Sequence, residues 1–405
     1  VKKVSSGGVS LQKLLWTAAP LAFLFFFFSI GARAANVVAW GAGTIFKPSN
    51  NNDYGQSQVP ANLTNAVFTA GGWRHSLALK DNGALVAWGD DSLGQTNLPA
   101  KSNYVALACG ELFSIALKTN GTLAEAGDDF YGQIEVPSAL SNVVAIACGS
   151  YHGLALKSDG TVVAWNTNGA NLGTQDYHQT RVPANLSNVV AIAAGGWHSL
   201  ALKSDGTLVA WGRNDFGQGS IPVGLSNVVA ISAGVAHNLL LKADGTVFAW
   251  GLDTYGQTDI PPGLSNVVAI ASGGWHNLAL KTDGTVAAWG AGSGSNTNVD
   301  YKQDTPPLNL SNVVRIAAGK LNSLALIGAG PPPSQILLTN FSIGTNGFNL
   351  TVPTLNGRVY RLEFKSALTD TNWIALPLQF GTGGDLPMNA PDISAPQRFY
   401  RVRQW

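Results

Sequence analysis

The chain has 405 residues, 45% hydrophobic and only 12% charged, with 47 glycines and a formal net charge of +1. That balance excludes a disordered chain, which needs low hydrophobicity and high charge. It also lacks the basic footprint that nucleic-acid binding requires, and it suits an all-β protein with many tight turns and more than one domain.

In chain order, residues 1–34 read as a secretory signal peptide. Lys2, Lys3 and Lys13 precede the apolar run Leu21–Phe28, and Ala32-Arg33-Ala34 supplies an A-x-A cleavage site. The apolar run is short for a membrane span of about 20 residues. Removal takes away four basic and no acidic residues, leaving 20 basic against 23 acidic. The expected product is secreted or held at the cell surface, with no membrane span and no nucleic-acid partner.

Over residues 35–330 one unit returns. The tryptophan of an A-W-G step marks it at Trp40, Trp88, Trp165, Trp211, Trp250 and Trp289, with Ala126 at that place in one copy. The steps between markers are 48, 38, 39, 46, 39 and 39 residues. A period near 39 signals an array or a propeller. The copy at 188–226 shows the unit most fully. NVVAIAAG is an apolar first strand, and HSLALK a second that alternates, with Leu200 and Leu202 on one face. Ser-Asp-Gly then predicts a hairpin whose two central residues take positive φ. TLVAWG is a third strand, and G-Q-x-x-I/V-P a fourth that its proline confines to an edge. Four antiparallel strands make a propeller blade.

Six copies begin near Asn65, Asn103, Asn142, Asn188, Asn227 and Asn266. A seventh begins at Asn312 and stops at Gly328 without its A-W-G half. That half stands at the other end of the repeat region, in Val37–Gly41, Tyr54-Gly55-Gln56 and Val59-Pro60. The expected fold is therefore an all-β seven-bladed propeller in which the two ends share one blade and leave no open edge.

Two recurring residue types invite chemistry, and each has a structural explanation. The D-G and N-G aspartates and asparagines are turn residues. His75, His152, His198, His237 and His276 each follow the repeat's Asn by ten residues. Equivalent atoms in neighbouring blades lie too far apart for one ion with bonds near 2 Å, so these histidines are expected to be buried and to hold loops by hydrogen bonds. Cys109 and Cys148 share one place in consecutive repeats. They are either two small buried residues or, in an exported protein, a disulfide.

Pro331-Pro332-Pro333 marks a stiff linker over 331–335. Residues 336–405 then read as short strands separated by Asn-Gly and Gly-Gly turns, expected to form a small antiparallel β-sandwich.

The pattern A-G-x-x-H-S-L-A-L-x-x-D-G-x-V-x-x-W-G-x-N-x-x-G-Q resembles the regulator-of-chromosome-condensation (RCC1) repeat. Its short form is similar to secreted bacterial seven-bladed propellers, including those that inhibit β-lactamases. Departures occur at Phe113 and Asn322 in the histidine place, at Ala126, and in the third and sixth copies, where the G-Q step is lost or displaced. The C-terminal order G-R-V-Y-R-L-E-F-K-S followed by F-Y-R-V resembles modules at the ends of large secreted bacterial proteins.

Comparing the copies with one another shows what varies. The two residues before each histidine place change freely, as do the residues after A-W-G, which lengthen over 42–54, 166–181 and 291–305. In an up-and-down blade both loops lie at the same end. Variable loops on a rigid scaffold are where binding usually resides, and Trp, Tyr and Arg dominate binding hot spots. Trp73, Arg74, Tyr151, Trp197 and Trp275 are accordingly the candidate partner-binding residues, while Phe130, Tyr131, Phe216 and Tyr255 are expected to pack. With no G-x-S-x-G, Cys–His or H-E-x-x-H constellation, the chain is expected to be a monomeric, non-catalytic binding scaffold without cofactor or metal. It would engage a protein partner or, alternatively, an extracellular glycan. The resemblance alone adds β-lactamase inhibition and guanine nucleotide exchange, and a signal peptide argues against the latter.

Overall fold

The computed structural model describes residues 36–43, 52–99, 103–166, 176–291 and 300–328. Toward the C-terminus it describes 339–344, 347–353, 359–365, 374–381, 385–390 and 399–404. The expected signal peptide and the proline linker lie outside the described residues. Every regular element among the described residues is a β-strand. None of them forms a helix long and apolar enough to cross a membrane.

Each repeat forms a three-stranded antiparallel sheet of inner, middle and outer strands, and seven such sheets occur among the described residues. They are numbered here by the opening Asn, from the first (Asn65) to the seventh (Asn312). In the fourth, Val189–Ala194 pairs with His198–Lys203, which pairs with Leu208–Gly212. In the seventh, Val313–Ala318 pairs with Asn322–Ile327, whose other edge takes Asn36–Gly41 in the register Asn36↔Ile327 to Gly41↔Asn322. The two ends of the repeat region thus meet in one sheet. Each inner strand packs beside the next, and Val313–Ala318 packs beside Ala66–Gly71, so the inner strands form a ring.

The opening Asn has a backbone reason. Asn65, Asn142, Asn188, Asn227, Asn266 and Asn312 all adopt φ between 54° and 62°, a left-handed conformation that Asn tolerates better than most side chains. The middle strand differs from the half-buried alternation expected for it. His198, Ser199, Leu200, Ala201 and Leu202 are all fully buried, because each middle strand is sandwiched between two neighbouring sheets. Its alternation is of large against small, not of inside against outside.

Two expectations need correction. The Ser-Asp-Gly turn is not the double positive-φ type. Gly160 is left-handed at φ 81° while Asp159 is not, and the N–H of Gly160 donates to the carbonyl of Lys157 at 2.9 Å. This is a three-residue loop, a tight turn followed by a left-handed glycine. Asp159 Oδ1 accepts from the Thr161 backbone N–H, which locks it. The second correction concerns G-Q-x-x-I/V-P, which forms no fourth strand among the described residues. The Gln carboxamide folds back on its own turn, as where Gln218 Oε1 accepts from the Phe216 N–H at 2.9 Å. A segment closed on itself in this way cannot also extend along a sheet edge.

In the C-terminal region, Gly347–Pro353 lies between Thr339–Gly344 and Asp385–Ala390. A second sheet centres on Val359–Lys365, flanked by Phe399–Gln404 and two short strands. Phe348, Leu350, Tyr360, Leu362, Met388 and Val402 from the two sheets share one buried cluster. The Leu378 N–H donates to the Ser158 carbonyl, in the Asp-Gly turn of the third sheet, at 3.0 Å.

Candidate functional site

The scaffold of the site is a ring of clasps between neighbouring sheets. After each A-W-G loop the buried Gln turns its backbone carbonyl toward the following sheet. That sheet answers with two donors at five junctions and with one at Gln95 (Ser114) and Gln133 (Trp165). Gln179 O accepts from Trp211 Nε1 at 2.8 Å and Ser199 Oγ at 2.9 Å. Gln218 O accepts from Trp250 Nε1 at 3.2 Å and Asn238 Nδ2 at 2.7 Å. The third and sixth copies keep this clasp. Gln179 and Gln303 return it after the long loops, with His178 (φ 63°) and Lys302 (φ 64°) in the place where other copies have a left-handed glycine. The step is displaced, not lost.

The histidines complete the clasp from the opposite side: they are buried and hydrogen-bonded as expected, but each holds the next sheet's middle strand and not a loop. His198 Nε2 lies 2.7 Å from Asn238 Oδ1, and His237 Nε2 lies 3.0 Å from Asn277 Oδ1. His75, His152 and His276 meet Ser114, Ser199 and Ser323 at 2.8 to 3.0 Å. Asn238 has already aimed its Nδ2 at a Gln carbonyl, and Ser199 its hydroxyl proton, so Nε2 carries the imidazole hydrogen. Burial pushes these imidazoles down, to about 4 for His75, His198 and His237 and about 3 for His152 and His276. They are neutral at neutral pH. No group of His, Cys, Asp or Glu among the described residues is placed to hold a metal.

Two junctions lack the histidine: at the seventh, Asn322 Nδ2 reaches Ser76 Oγ at 3.2 Å, and the second has no such bond. Phe113 stands where histidine would, and Gly153 stands where its Ser or Asn acceptor would. The two departures match: the third sheet offers no acceptor because the second sheet offers no donor. Phe113 is fully buried with Val105, Ile115, Val143 and Trp165.

Above the clasps, the variable loops are held at one end of the ring. The A-W-G glycine makes this possible. Gly212 has φ 97°, and a Cβ there would lie 2.7 Å from the Trp197 carbonyl. The next residue, Arg213, donates its N–H to that same carbonyl at 2.9 Å. Asp90 to Arg74, Asp128 to Leu112 and Leu252 to Ala236 repeat the bond. With Ala42 to Leu321, the bond ties the loop before the histidine place to the loop after A-W-G in five of the seven sheets.

All five candidate residues, Trp73, Arg74, Tyr151, Trp197 and Trp275, lie in the loops before the histidine places and are half-buried. The Tyr151 ring lies 4.9 Å from Tyr131 and 6.1 Å from Trp197. Arg213 sits 4.7 Å from the Tyr177 ring and 5.3 Å from that of Trp197. Arg74 lies 4.1 Å from the Trp73 ring and 4.6 Å from that of Tyr54. Tyr255 packs edge-on to Trp275 at 6.4 Å. Tyr131 and Tyr255 pack as expected, whereas Phe130 (63%) and Phe216 (43%) are exposed.

The residues that sequence reasoning missed are Glu111 and Lys320. Lys320 Nζ lies 2.6 Å from Glu111 Oε1 and 4.0 Å from the centre of the Trp73 ring. Glu111 also accepts from Ser150 Oγ at 2.9 Å and Tyr151 OH at 3.2 Å. Burial first, and the Glu111 carboxylate second, push the Tyr151 hydroxyl well above its usual value and keep it a donor. The signal was present in the sequence: one acid and one base occupy a repeat position otherwise held by neutral residues. With Trp73 and Ser150 they line a pocket of about 90 Å³ at the ends of the inner strands, where many glycines gather. Cys109 and Cys148 line it as well and are unpaired, and burial pushes the Cys109 thiol up to about 12.

Comparison with known proteins places this architecture. Residues 67–95, 143–165, 189–218, 228–257 and 267–297 match the regulator of chromosome condensation (RCC1) repeat, so the chain carries RCC1 repeats. No curated protein matches the chain. Among solved structures, Prp20p from Saccharomyces cerevisiae, described with its binding to Gsp1p and histones, aligns with TM-score 0.58 at 19% identity. That alignment covers 75% of this chain and 93% of the yeast protein. Yeast RCC1 (Prp20) bound to Kap60 aligns with TM-score 0.57 at 20% identity, covering 80% and 97%. Human WBSCR16 aligns with TM-score 0.54 at 20% identity, covering 73% and 99%. At these identities the likeness shows an RCC1-type propeller fold and nothing about partners.

Proposed function

We propose that this RCC1-repeat chain is a non-catalytic binding scaffold: a seven-bladed propeller, each sheet one blade, that engages a protein partner through its variable-loop end. The sequence supports export by the signal peptide and a C-terminal β-sandwich as an appended module. One observation carries the reading. Trp73, Arg74, Tyr151, Trp197 and Trp275 belong to the loops at one end of the ring, where aromatic and cationic side chains pack across repeat boundaries. The turns of the opposite end repeat the same Lys-Ser-Asp-Gly theme with little change. A rigid base with one varied end is the arrangement of loop-based recognition.

A glycan reading has less support. The rings of Tyr131, Tyr177 and Tyr255 are held in T-shaped contacts with neighbouring aromatics, whereas sugar stacking needs free rings. The test is affinity capture from the source organism's extracellular and envelope fraction with the full chain as bait. The control is a Tyr151→Ala, Trp197→Ala, Trp275→Ala variant. A protein held by the first bait and lost by the second supports the reading. Equal retention by both baits, or binding only to immobilised glycans, overturns it.

A further inference from the structure

We propose that the side chains around the pocket at the ends of the inner strands form an ammonium-binding cage, filled in this structure by the chain's own Lys320, and that a lysine side chain of a basic protein partner enters it by displacing Lys320. The proposal rests on reading this end as the binding face and names the partner chemistry that the face takes.

The cage is drawn from five repeats. Lys320 Nζ stands 4.0 Å from the centre of the Trp73 ring and 5.5 Å from that of Trp275. Glu111 Oε1 lies 2.6 Å from it. Ser150 and Tyr151 fix the carboxylate from the other side at 2.9 and 3.2 Å. An ammonium against aromatic faces with a carboxylate behind it is how alkylammonium groups are recognised.

The two halves of the ion pair differ in a way that suits exchange. The Glu111 side chain is 6% exposed, whereas that of Lys320 is 17% exposed. The carboxylate is the fixed floor and the amine is the part that solvent reaches. The backbone of Lys320 is held independently, its N–H donating to Gly72 O and its carbonyl accepting from Gly274 N–H, both at 3.0 Å. Its four-carbon stem can therefore swing out without disturbing the loop.

Charge favours a cationic visitor. Among the described residues, the loops of this end carry eleven carboxylates against five cations (Arg74, Arg181, Arg213, Lys302 and Lys320). The Asp-Gly and Asn-Gly turns of the opposite end carry six lysines and five aspartates, close to balance. A basic partner is steered to the first end and not to the second.

The test uses the full chain and small probes. Calorimetric titration with Nα-acetyl-lysine methylamide is expected to show binding at least tenfold tighter to Lys320→Ala than to the unaltered chain. The uncharged norleucine analogue should not bind, and adding Glu111→Gln should abolish the lysine signal. Folded Lys320→Ala that binds the lysine probe no better than the norleucine analogue overturns the proposal. If Lys320→Ala does not fold, the unaltered chain is acetylated with an amine reagent and read by mass spectrometry. Tetramethylammonium, against sodium chloride at equal ionic strength, should speed modification of Lys320 several-fold by expelling its amine, and an unchanged rate overturns the exchange. No partner is needed in either arm, so failure of the cage is distinguishable from failure of partner capture.

Discussion

The indole Nε1 of Trp40 donates to the backbone carbonyl of Gln303, 263 positions further along the chain, at 2.8 Å. The same bond joins Trp88 to Gln56, Trp165 to Gln133 and Trp211 to Gln179, but there the partners are near in sequence. At Trp40 it closes the ring. Trp40→Phe removes one buried hydrogen bond and should lower stability by about 1 kcal/mol. Trp40→Ala also empties the site and should lower it by about 3–5 kcal/mol. Urea midpoints for the two variants check the difference. No loss in Trp40→Phe would show that the indole N–H contributes nothing.

Acid should loosen the clasps. Each histidine is held neutral by burial, with a folded value of about 3 to 4 against about 6.5 when unfolded. Below pH 6.5 the unfolded chain takes up protons that the folded chain refuses. The contribution is therefore fully present above pH 6.5, and it declines as pH falls toward about 4 to 3. Chemical denaturation at pH 7.5, 6 and 5 should show a progressive loss. His237→Asn, which copies the natural Asn322, should flatten the slope.

The Phe113–Gly153 junction predicts coupling between two substitutions. Phe113→His alone buries a ring N–H with no acceptor and should cost about 1–3 kcal/mol. Gly153→Ser alone places a Cβ 2.3 Å from the end of the Trp165 ring, so it too should destabilise. Together they restore the clasp of the other repeats. The double variant should lose less than the sum of the single losses, and thermal melts arranged as a double-mutant cycle measure the difference. Strict additivity would mean that the two sites do not answer each other.

Gly212→Ala tests the link from scaffold to surface. It forces a side chain onto a backbone at φ 97° and within 2.7 Å of the Trp197 carbonyl. A stability loss of about 1–3 kcal/mol is expected. Because the strain falls on the loop that carries Trp197, partner capture should weaken even at temperatures where the variant is fully folded.

Much of the ring was legible because it repeats. The A-W-G spacing and the half-copies at the two ends lead directly to the sheet that holds both Asn36–Gly41 and Val313–Ala318. The Gln segment misled because Gly-Gln before a proline looks like an edge strand, and only the carboxamide's return to its own turn shows otherwise. Trp73, Tyr151, Trp197 and Trp275 could be found by their variation between copies. Glu111 and Lys320 belong to the second and seventh repeats, and their meeting depends on how the loops lean across the first. No spacing along the chain encodes that lean.

The Gln clasp also separates the length of a loop from the geometry of the ring. Chain may be added after any A-W-G step so long as an aromatic residue and a Gln return two places apart, as Tyr177 with Gln179 and Tyr301 with Gln303 do. The following tryptophan then finds the same carbonyl whatever came between. Such a molecule can acquire new recognition surface by insertion alone, one loop at a time, with every sheet left in register.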